Sequence, residues 1–144
     1  MCGLAQRVWT DARNSHIGLL FNLPMGVLVA ISIPIFTSQL EKAREATDAA
    51  NLRSAYAVAA ADVLDGDGDT GYSAGPVAMA QTTAGFASSG LKDDSIGGIK
   101  LSTLTDTAKG VSYYVNVTKD GTVTITTTAT TGNTVVDPIT GKTN

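Results

Sequence analysis

An apolar block that contains no charged residue lies near the start of the sequence. Residues 17–36 read IGLLFNLPMGVLVAISIPIF. As a helix this block spans about 30 Å, the thickness of the hydrocarbon core of a bilayer. Pro24 and Pro34 interrupt it, but the long absence of charge favours a membrane-inserted helix over a buried core helix or a secretory signal peptide.

A helical repeat follows the apolar block and continues to Leu64. One face carries residues at alternating spacings of four and three, which is the period of one side of an α-helix. Those residues are Phe36, Leu40, Ala43, Thr47, Ala50, Ser54, Ala57, Ala61 and Leu64. A neighbouring stripe consists of Leu52, Tyr56, Ala59 and Val63. Together the block and the repeat predict a helix of about 40 residues, which is longer than a small globule needs and therefore requires a partner.

The helical pattern stops at the sequence DGDGDTG, residues 65–71. Its glycines and alternating aspartates do not continue a helix. Residues 66–98 then show little periodicity and are rich in Gly, Ala, Ser and Thr. They predict a long surface loop with a short helical turn near residues 75–81.

Beyond Gly110 the pattern changes to strands. Residues 111–118 and 122–128 alternate and are joined by an Asp-Gly turn, which is a hairpin signature. Residues 99–104 predict a third strand, and residues 134–136 predict a fourth. The predicted fold is therefore α+β, with a long N-terminal helix packed on a small antiparallel sheet.

Composition argues against an enzyme and against a nucleic-acid partner. Lys and Arg total 10 against 13 Asp and Glu, for a formal net charge of −3, so there is no basic surplus to neutralise phosphates. The chain has one histidine, His16, and one cysteine, Cys2. These exclude an intrachain disulfide and nearly every multi-ligand zinc site. With no nucleophile–base pair available, the sequence predicts a protein that is not an enzyme.

Residues 27–65 resemble the first helix of type IV pilins and of the related pseudopilins. The sequence AISIPIF at 30–36 is similar to the family's apolar segment with its helix-kinking proline. The residues that follow it resemble pilins of Gram-positive anaerobes. The resemblance covers about a quarter of the chain. It implies a pilin-like fold and a structural subunit of a surface filament whose core is packed from apolar helices.

The resemblance also implies which residues pack in the filament core and in the membrane. We expect them to be Val27, Leu28, Val29, Ile31, Ile33, Pro34, Ile35, Phe36 and Leu40. The implied partners are further copies of the chain in a helical homopolymer, the membrane, the pilus assembly machinery and a prepilin peptidase. The chain would lie in the membrane before assembly and at the cell surface afterwards.

The expected organisation has three parts: an atypical leader at 1–16, an anchor and filament-core helix at 17–64, and a head at 65–144. The leader departs from the family pattern. Ala12 stands where pilins carry the cleavage glycine, and Ile17 stands where they carry a glutamate. A type II secretion pseudopilin is the alternative within the same family.

A calcium site is the second alternative. Asp65, Asp67 and Asp69 alternate like the start of a calcium loop. The glycine falls at Gly71, one position late, and Pro76 occupies the twelfth position, where an EF-hand carries an acid. A solvated acidic turn is therefore favoured. A looser calcium site, in a membrane-tethered module that does not assemble, remains open, and no other cofactor is predicted.

Two further motifs have ordinary explanations. The adjacent carboxylates Asp93 and Asp94 are interpreted as a solvated pair and not as a catalytic dyad. Residues 116–118 match the acceptor pattern for N-glycosylation, but they fall in a predicted strand, which favours coincidence.

Overall fold

The structure is a computed structural model that describes residues 8–66, 70–88 and 90–143. Over residues 8–32 it describes the helical backbone alone. Within these residues the architecture is α+β, with one long helix, a four-stranded mixed sheet and a separate two-stranded sheet.

The long helix α1 spans Val8–Asp65. It confirms the predicted long helix, begins earlier than residue 17 and continues through both Pro24 and Pro34. The chain forms two compact units, Met1–Gln39 and Leu40–Asn144. All the strands belong to the second unit.

Six strands follow the helix. In chain order they are β1 Tyr72–Ala78, β2 Ser95–Ile96, β3 Ile99–Lys100, β4 Ser112–Val117, β5 Val123–Thr126 and β6 Thr134–Val136. The main sheet has the order β5-β4-β1-β6. β4 pairs antiparallel with β1 and β5, whereas β6 pairs parallel with β1. The prediction of an antiparallel sheet is therefore wrong at β6. β2 and β3 form a small antiparallel pair of their own.

Strand β1 corrects the prediction of a surface loop over 66–98 with a helical turn near 75–81. Its sequence, YSAGPVA, has few of the residues that favour strands, and its register with β4 shifts around Gly75 and Pro76. The backbone at Gly75 lies so close to Tyr114 that a Cβ there would be 2.6 Å from the ring. β1 forms because it pairs with a strand on each side, which a local pattern does not reveal.

The predicted hairpin over 111–118 and 122–128 is confirmed by β4 and β5. At its end the N–H of Thr118 donates to the carbonyl of Thr122 at 2.9 Å. Gly121 closes the turn with φ +78°, a conformation that favours glycine.

The other two predicted strands have different outcomes. Residues 134–136 form β6 as predicted. Of residues 99–104 only Ile99–Lys100 is a strand, and Leu101–Thr103 form a short 3-10 helix. Leu101 is fully buried in the core, so the segment turns inward instead of extending along a sheet.

The hydrophobic core of the second unit lies between α1 and the sheet. The helix contributes Ala49, Leu52, Ala55 and Ala59, and the strands contribute Ala74, Val115, Val117 and Ile125, all buried. Leu52 and Ala59 belong to the second stripe of the sequence, and Tyr56 and Val63 of that stripe pack against the same cluster. The sheet therefore covers the second stripe and not the first.

The crossover from β5 to β6, residues 127–133, is attached to the sheet through Asn116. The Asn116 amide donates to the Thr126 hydroxyl at 2.7 Å, and its oxygen accepts the N–H of Thr130 at 3.0 Å. The hydroxyl of Ser73 accepts the same N–H at 3.3 Å. Asn116 is 1% exposed, so the glycosylation pattern at this position describes a buried structural residue.

Candidate assembly surface on the long helix

Five of the nine expected packing residues have described side chains, and all five are exposed. Ile33, Ile35, Phe36 and Leu40 have exposures of 60%, 58%, 70% and 42%, and Pro34 is exposed with them. The side chains of the remaining four, Val27, Leu28, Val29 and Ile31, lie outside the described residues. Large apolar side chains at this exposure are the kind of surface that proteins use for association.

The hydroxyl groups next to these side chains are satisfied inside the helix. Thr37 lies 3.2 Å from the carbonyl of Ile33 and 3.0 Å from that of Pro34, and its hydroxyl donates there. Ser38 donates to the carbonyl of Ile35 at 2.9 Å. Such bonds back to the preceding turn are common for Ser and Thr in helices. They leave this part of α1 able to enter an apolar environment without an unpaired hydroxyl.

In the second unit the first stripe of the sequence forms an exposed row along α1. The row consists of Leu40, Ala43, Thr47, Ala50, Ser54, Ala57, Ala61 and Leu64, and every member is exposed. Leu64 at its end has an exposure of 87%. The spacing of four and three keeps two helices in contact over many turns, and the small side chains allow their backbones to approach closely.

A groove of about 280 Å³ borders the exposed row beside Ser54. Its lining also includes Pro76 of strand β1 and the turn residues Pro138 and Ile139. The row thus has space beside it for side chains of a packed neighbour.

The other side of α1 carries carboxylates that bind the backbone of residues 80–88. Asp48 is fully buried, and its two oxygens accept the N–H groups of Ala80 and Gln81 at 2.9–3.0 Å. Glu45 is nearly as buried and accepts the N–H of Ser88 at 2.9 Å. These side chains hold the segment after β1 against the helix.

Glu41 completes this set of carboxylates. It accepts the N–H groups of Thr82 and Thr83 and the hydroxyl of Thr82, and it pairs with Arg44 at 3.2 Å. Burial acts to raise the pKa of Glu41, but the hydrogen bonds from Thr83, Thr82 and Arg44 outweigh it and lower the pKa from 4.5 to about 2.

Sequence reasoning missed the role of these three carboxylates. Positions 41, 45 and 48 repeat at the helical spacing of four and three, so they share one side of α1. This spacing was the one sign in the sequence that the three carboxylates could act together. Their acceptor role depends on a segment about forty residues later in the chain, which no local pattern identifies.

The predicted calcium ligands lie largely beyond what the structure describes. Asp65 is exposed at the end of α1, and Asp67 and Asp69 fall outside the described residues. In the part of the chain that is described, no group of three or more His, Cys, Asp or Glu side chains is placed to hold a metal ion.

Of the adjacent acids in the head, Asp94 has a structural role. It forms an ion pair with Arg53 of α1, and its other oxygen accepts the N–H of Ser95 at 2.8 Å. Asp93 is exposed. Asp94 is thus one member of a link between the helix and the β2–β3 segment.

Among the described residues no helix is long and apolar enough to cross a membrane. Most of the predicted membrane segment, residues 17–32, has side chains outside that part of the chain.

Comparison with known proteins gives no match: no family model, no curated protein and no solved structure matches this chain. The two sides of α1 therefore provide the basis for inferring a function.

Proposed function

We propose that this protein is a structural subunit of a type IV pilus-like surface filament, which polymerises through its apolar N-terminal helix. The observation that carries the proposal is the exposure of residues 33–39 and, in the second unit, of one side of α1 from Leu40 to Leu64. Large apolar residues from Ile33 to Leu40 and the exposed row up to Leu64 are left in water by the single chain. Packing against other copies would remove both surfaces from water.

The energetics favour association through this side of the helix. A fully buried large apolar side chain stabilises by about 1.5–3 kcal/mol, so each half-exposed Ile or Phe would add roughly 1 kcal/mol on assembly. The small residues of the exposed row lose little side-chain entropy when they pack. Many weak contacts repeated along a helix suit a polymer better than one strong site does.

The carboxylate side of α1 supports the proposal, because it shows that the two sides of the helix have different partners. Glu41, Glu45 and Asp48 are occupied by backbone N–H groups of residues 80–88, so this side belongs to the head. The opposite side remains available for other helices. In the proposed filament the helices pack inside and the heads lie outside.

The proposal also covers where the chain lies and how it is processed before assembly. The apolar helix would first hold the subunit in the membrane, and a prepilin peptidase and the pilus assembly machinery would process and extrude it to the cell surface. The protein would then act through its polymeric form and would carry no catalytic residues.

Two exposed positions provide a matched test in the full-length chain. Ile33→Asp places a charge on the expected packing surface, whereas Ser102→Asp places one in the 3-10 helix of the head, where Ser102 is exposed. We expect Ile33→Asp to abolish the polymer that sediments from sheared cells, and Ser102→Asp to retain it. Thermal melting followed by circular dichroism should be unchanged in both variants, because both positions are exposed.

Wild-type amounts of polymer from Ile33→Asp would refute the proposal. So would the absence of any sedimentable polymer from the unmodified chain in its native cells. Loss of polymer in both variants would also count against it, because the effect would then not depend on the helix surface.

A further inference from the structure

The two edges of the main sheet differ in how far the chain covers them. At the β6 edge, Val136 forms a bridge with Thr143. At the other edge, β5 pairs with β4 alone. The β2–β3 turn reaches β5 at Gly97, which lies against the side chain of Val123. Outside β4, however, no described residue forms a backbone hydrogen bond with β5.

The ladder between β4 and β5 determines which backbone groups of β5 face away from the sheet. The N–H of Thr118 donates to the carbonyl of Thr122 at 2.9 Å, so these two residues form a hydrogen-bonded pair at the start of the ladder. Hydrogen-bonded and non-hydrogen-bonded pairs alternate along an antiparallel ladder. Thr124 therefore directs its N–H and C=O towards β4, whereas Val123 and Ile125 direct theirs away from it.

The sequence of this open edge lacks the features that usually protect an edge strand. Residues 122–128 read TVTITTT, so they are all β-branched and contain no charge, proline or glycine. Edge strands are commonly protected by charged side chains or proline. A segment of this length and composition is typical of strands that pair with further strands. The edge therefore has the chemistry to accept another strand.

We propose that β5 pairs antiparallel with β5 of a second copy, so that the two main sheets join into one. Residues 122–126 alternate threonine with a larger apolar residue, and they show the same pattern in both directions from Thr124. A two-fold axis at Thr124 places Thr124 of one copy opposite Thr124 of the other. The same axis places Val123 opposite Ile125.

This register uses the backbone groups that β5 leaves open. Two residues of a hydrogen-bonded antiparallel pair exchange both of their N–H to C=O bonds. Val123 of each copy forms such a pair with Ile125 of the other. Thr124 then falls on the non-hydrogen-bonded pair between them, where the two Cα atoms are about 4.5 Å apart.

The side chains also match on both faces of the joined sheet. On the outer face Thr122, Thr124 and Thr126 are exposed, and threonine hydroxyls on opposite strands can bond to each other. On the inner face Ile125 is buried and Val123 is half-buried. Pairing would cover the exposed part of Val123 with Ile125 of the other copy, and no charged side chain of either strand faces another.

The contact closes on two copies. Each copy offers the same edge to the other, so the interface is isologous and does not extend into a polymer. It is therefore distinct from the helix contact of the proposed filament. In that filament, the contact would join the heads of two adjacent filaments, and this consequence alone rests on the proposed function.

Cysteine cross-linking of the full-length chain in detergent tests the register. Both test chains carry Cys2→Ser, which removes the one native cysteine. Thr124→Cys places two thiols opposite each other at a Cα separation that a disulfide can bridge. Its matched control is Thr122→Cys on the same exposed face. In the proposed register the two Thr122 positions are four residues out of step, or about 13 Å apart, which is too far for a disulfide.

After mild oxidation we expect at least about tenfold more covalent dimer from Thr124→Cys than from Thr122→Cys, because only the first pair is within bonding distance. Adding Ile33→Asp to the Thr124→Cys chain should leave the dimer in place, since the edge contact does not use the helix surface. Equal yields from the two cysteine chains, or loss of the dimer with Ile33→Asp, would overturn the inference.

Hydrogen exchange in the unsubstituted chain provides a second test. The amides of Val123 and Ile125 should exchange more slowly as the protein concentration rises, whereas the amide of Thr124, which is bonded to β4, should not change. Thr124→Lys should raise the concentration needed for this slowing by about twofold to fivefold, because like charges then face each other across the seam. An equal mixture of Thr124→Lys and Thr124→Glu should restore it.

The results distinguish this inference from the filament proposal. Exchange at Val123 and Ile125 that does not depend on concentration would overturn the edge pairing and leave the filament proposal standing. Cross-linking at Thr124 in a chain that forms no sedimentable polymer in its native cells would support the pairing and refute the filament.

Discussion

Single carboxylates on α1 act as acceptors for backbone N–H groups that would otherwise be left without partners. Asp48 is the clearest case, since both of its oxygens are used and it has no exposed surface. A charged acceptor strengthens such bonds, and an unsatisfied buried N–H costs about 1–3 kcal/mol. The carboxylates therefore fix residues 80–88 more firmly than apolar contacts alone would.

Glu41 makes a pH-dependent contribution to stability that can be measured. Its pKa in the folded protein is about 2, below its ordinary value of 4.5. The stabilisation is therefore fully present above about pH 4.5 and is lost as the pH falls towards 2. We expect Glu41→Gln to lower the free energy of unfolding by about 1–3 kcal/mol near neutral pH, and the difference from wild type to vanish near pH 2.

Urea unfolding of both proteins over this pH range measures that difference. Asp65→Asn is the control, because Asp65 is exposed and accepts no side-chain bond from any described residue. It should track the wild type at every pH. A deficit in Glu41→Gln that stayed constant down to pH 2 would contradict the assignment.

At the scale of elements, the sheet depends on β1, whose residues favour strand structure only weakly, and on the crossover from β5 to β6. β1 lies between β4 and β6, although its sequence contains a Gly-Pro pair. The crossover that leads to β6 is attached through Asn116. Because β6 pairs with β1 in parallel, the chain must cross from one edge of the sheet to the other between Thr126 and Thr134.

Removing the Asn116 side chain should loosen this crossover. Asn116→Ala leaves the N–H of Thr130 without its nearest acceptor and opens a small cavity, and we expect a loss of about 2–3 kcal/mol in unfolding free energy. Hydrogen exchange at the Thr130 amide should become faster than exchange in β4.

Thr124→Ala is the matched control for Asn116→Ala. Thr124 lies opposite Asn116 in the register of β4 and β5 but is exposed. It should change stability by less than about 0.5 kcal/mol. Equal effects of the two substitutions would mean that the Asn116 hydrogen bonds are not what holds the crossover.

The hairpin and β1 differ in how far the sequence predicts them. β4 and β5 alternate, and an Asp-Gly turn joins them within a few residues, so local preference and turn chemistry agree. The signals for β1 are non-local: its partners lie about forty and sixty residues further along the chain. Its small residues and its proline are typical of a loop, so the sequence of β1 alone does not predict a strand.

At the scale of the whole molecule, the proposed filament depends on the close approach of one helix side to another copy. Ala57 lies in the exposed row. Ala57→Trp should leave the unfolding free energy of the chain within about 0.5 kcal/mol of wild type, because the position is exposed. It should reduce sedimentable polymer about tenfold, since overpacking a close contact costs about 1–3 kcal/mol.

Thr103→Trp is the control for bulk alone, because Thr103 is exposed in the 3-10 helix and outside α1. It should sediment like the wild type. Wild-type amounts of polymer from Ala57→Trp would show that the row is not in contact with another copy.

The amino-acid sequence by itself determined the long helix, the hairpin and the apolar block, because each depends on residues near one another in the chain. It did not determine which stripe of the helix faces the sheet. The second stripe carries the larger side chains of Leu52, Tyr56 and Val63, but both stripes have the same helical period, so periodicity alone does not rank them. The tertiary structure decided which stripe is buried, because the partners of the helix lie far along the chain. The core residues of the strands cover Leu52 and its neighbours. The N–H groups of residues 80–88 bind Glu41, Glu45 and Asp48. The first stripe is left exposed as the remaining side of the same helix.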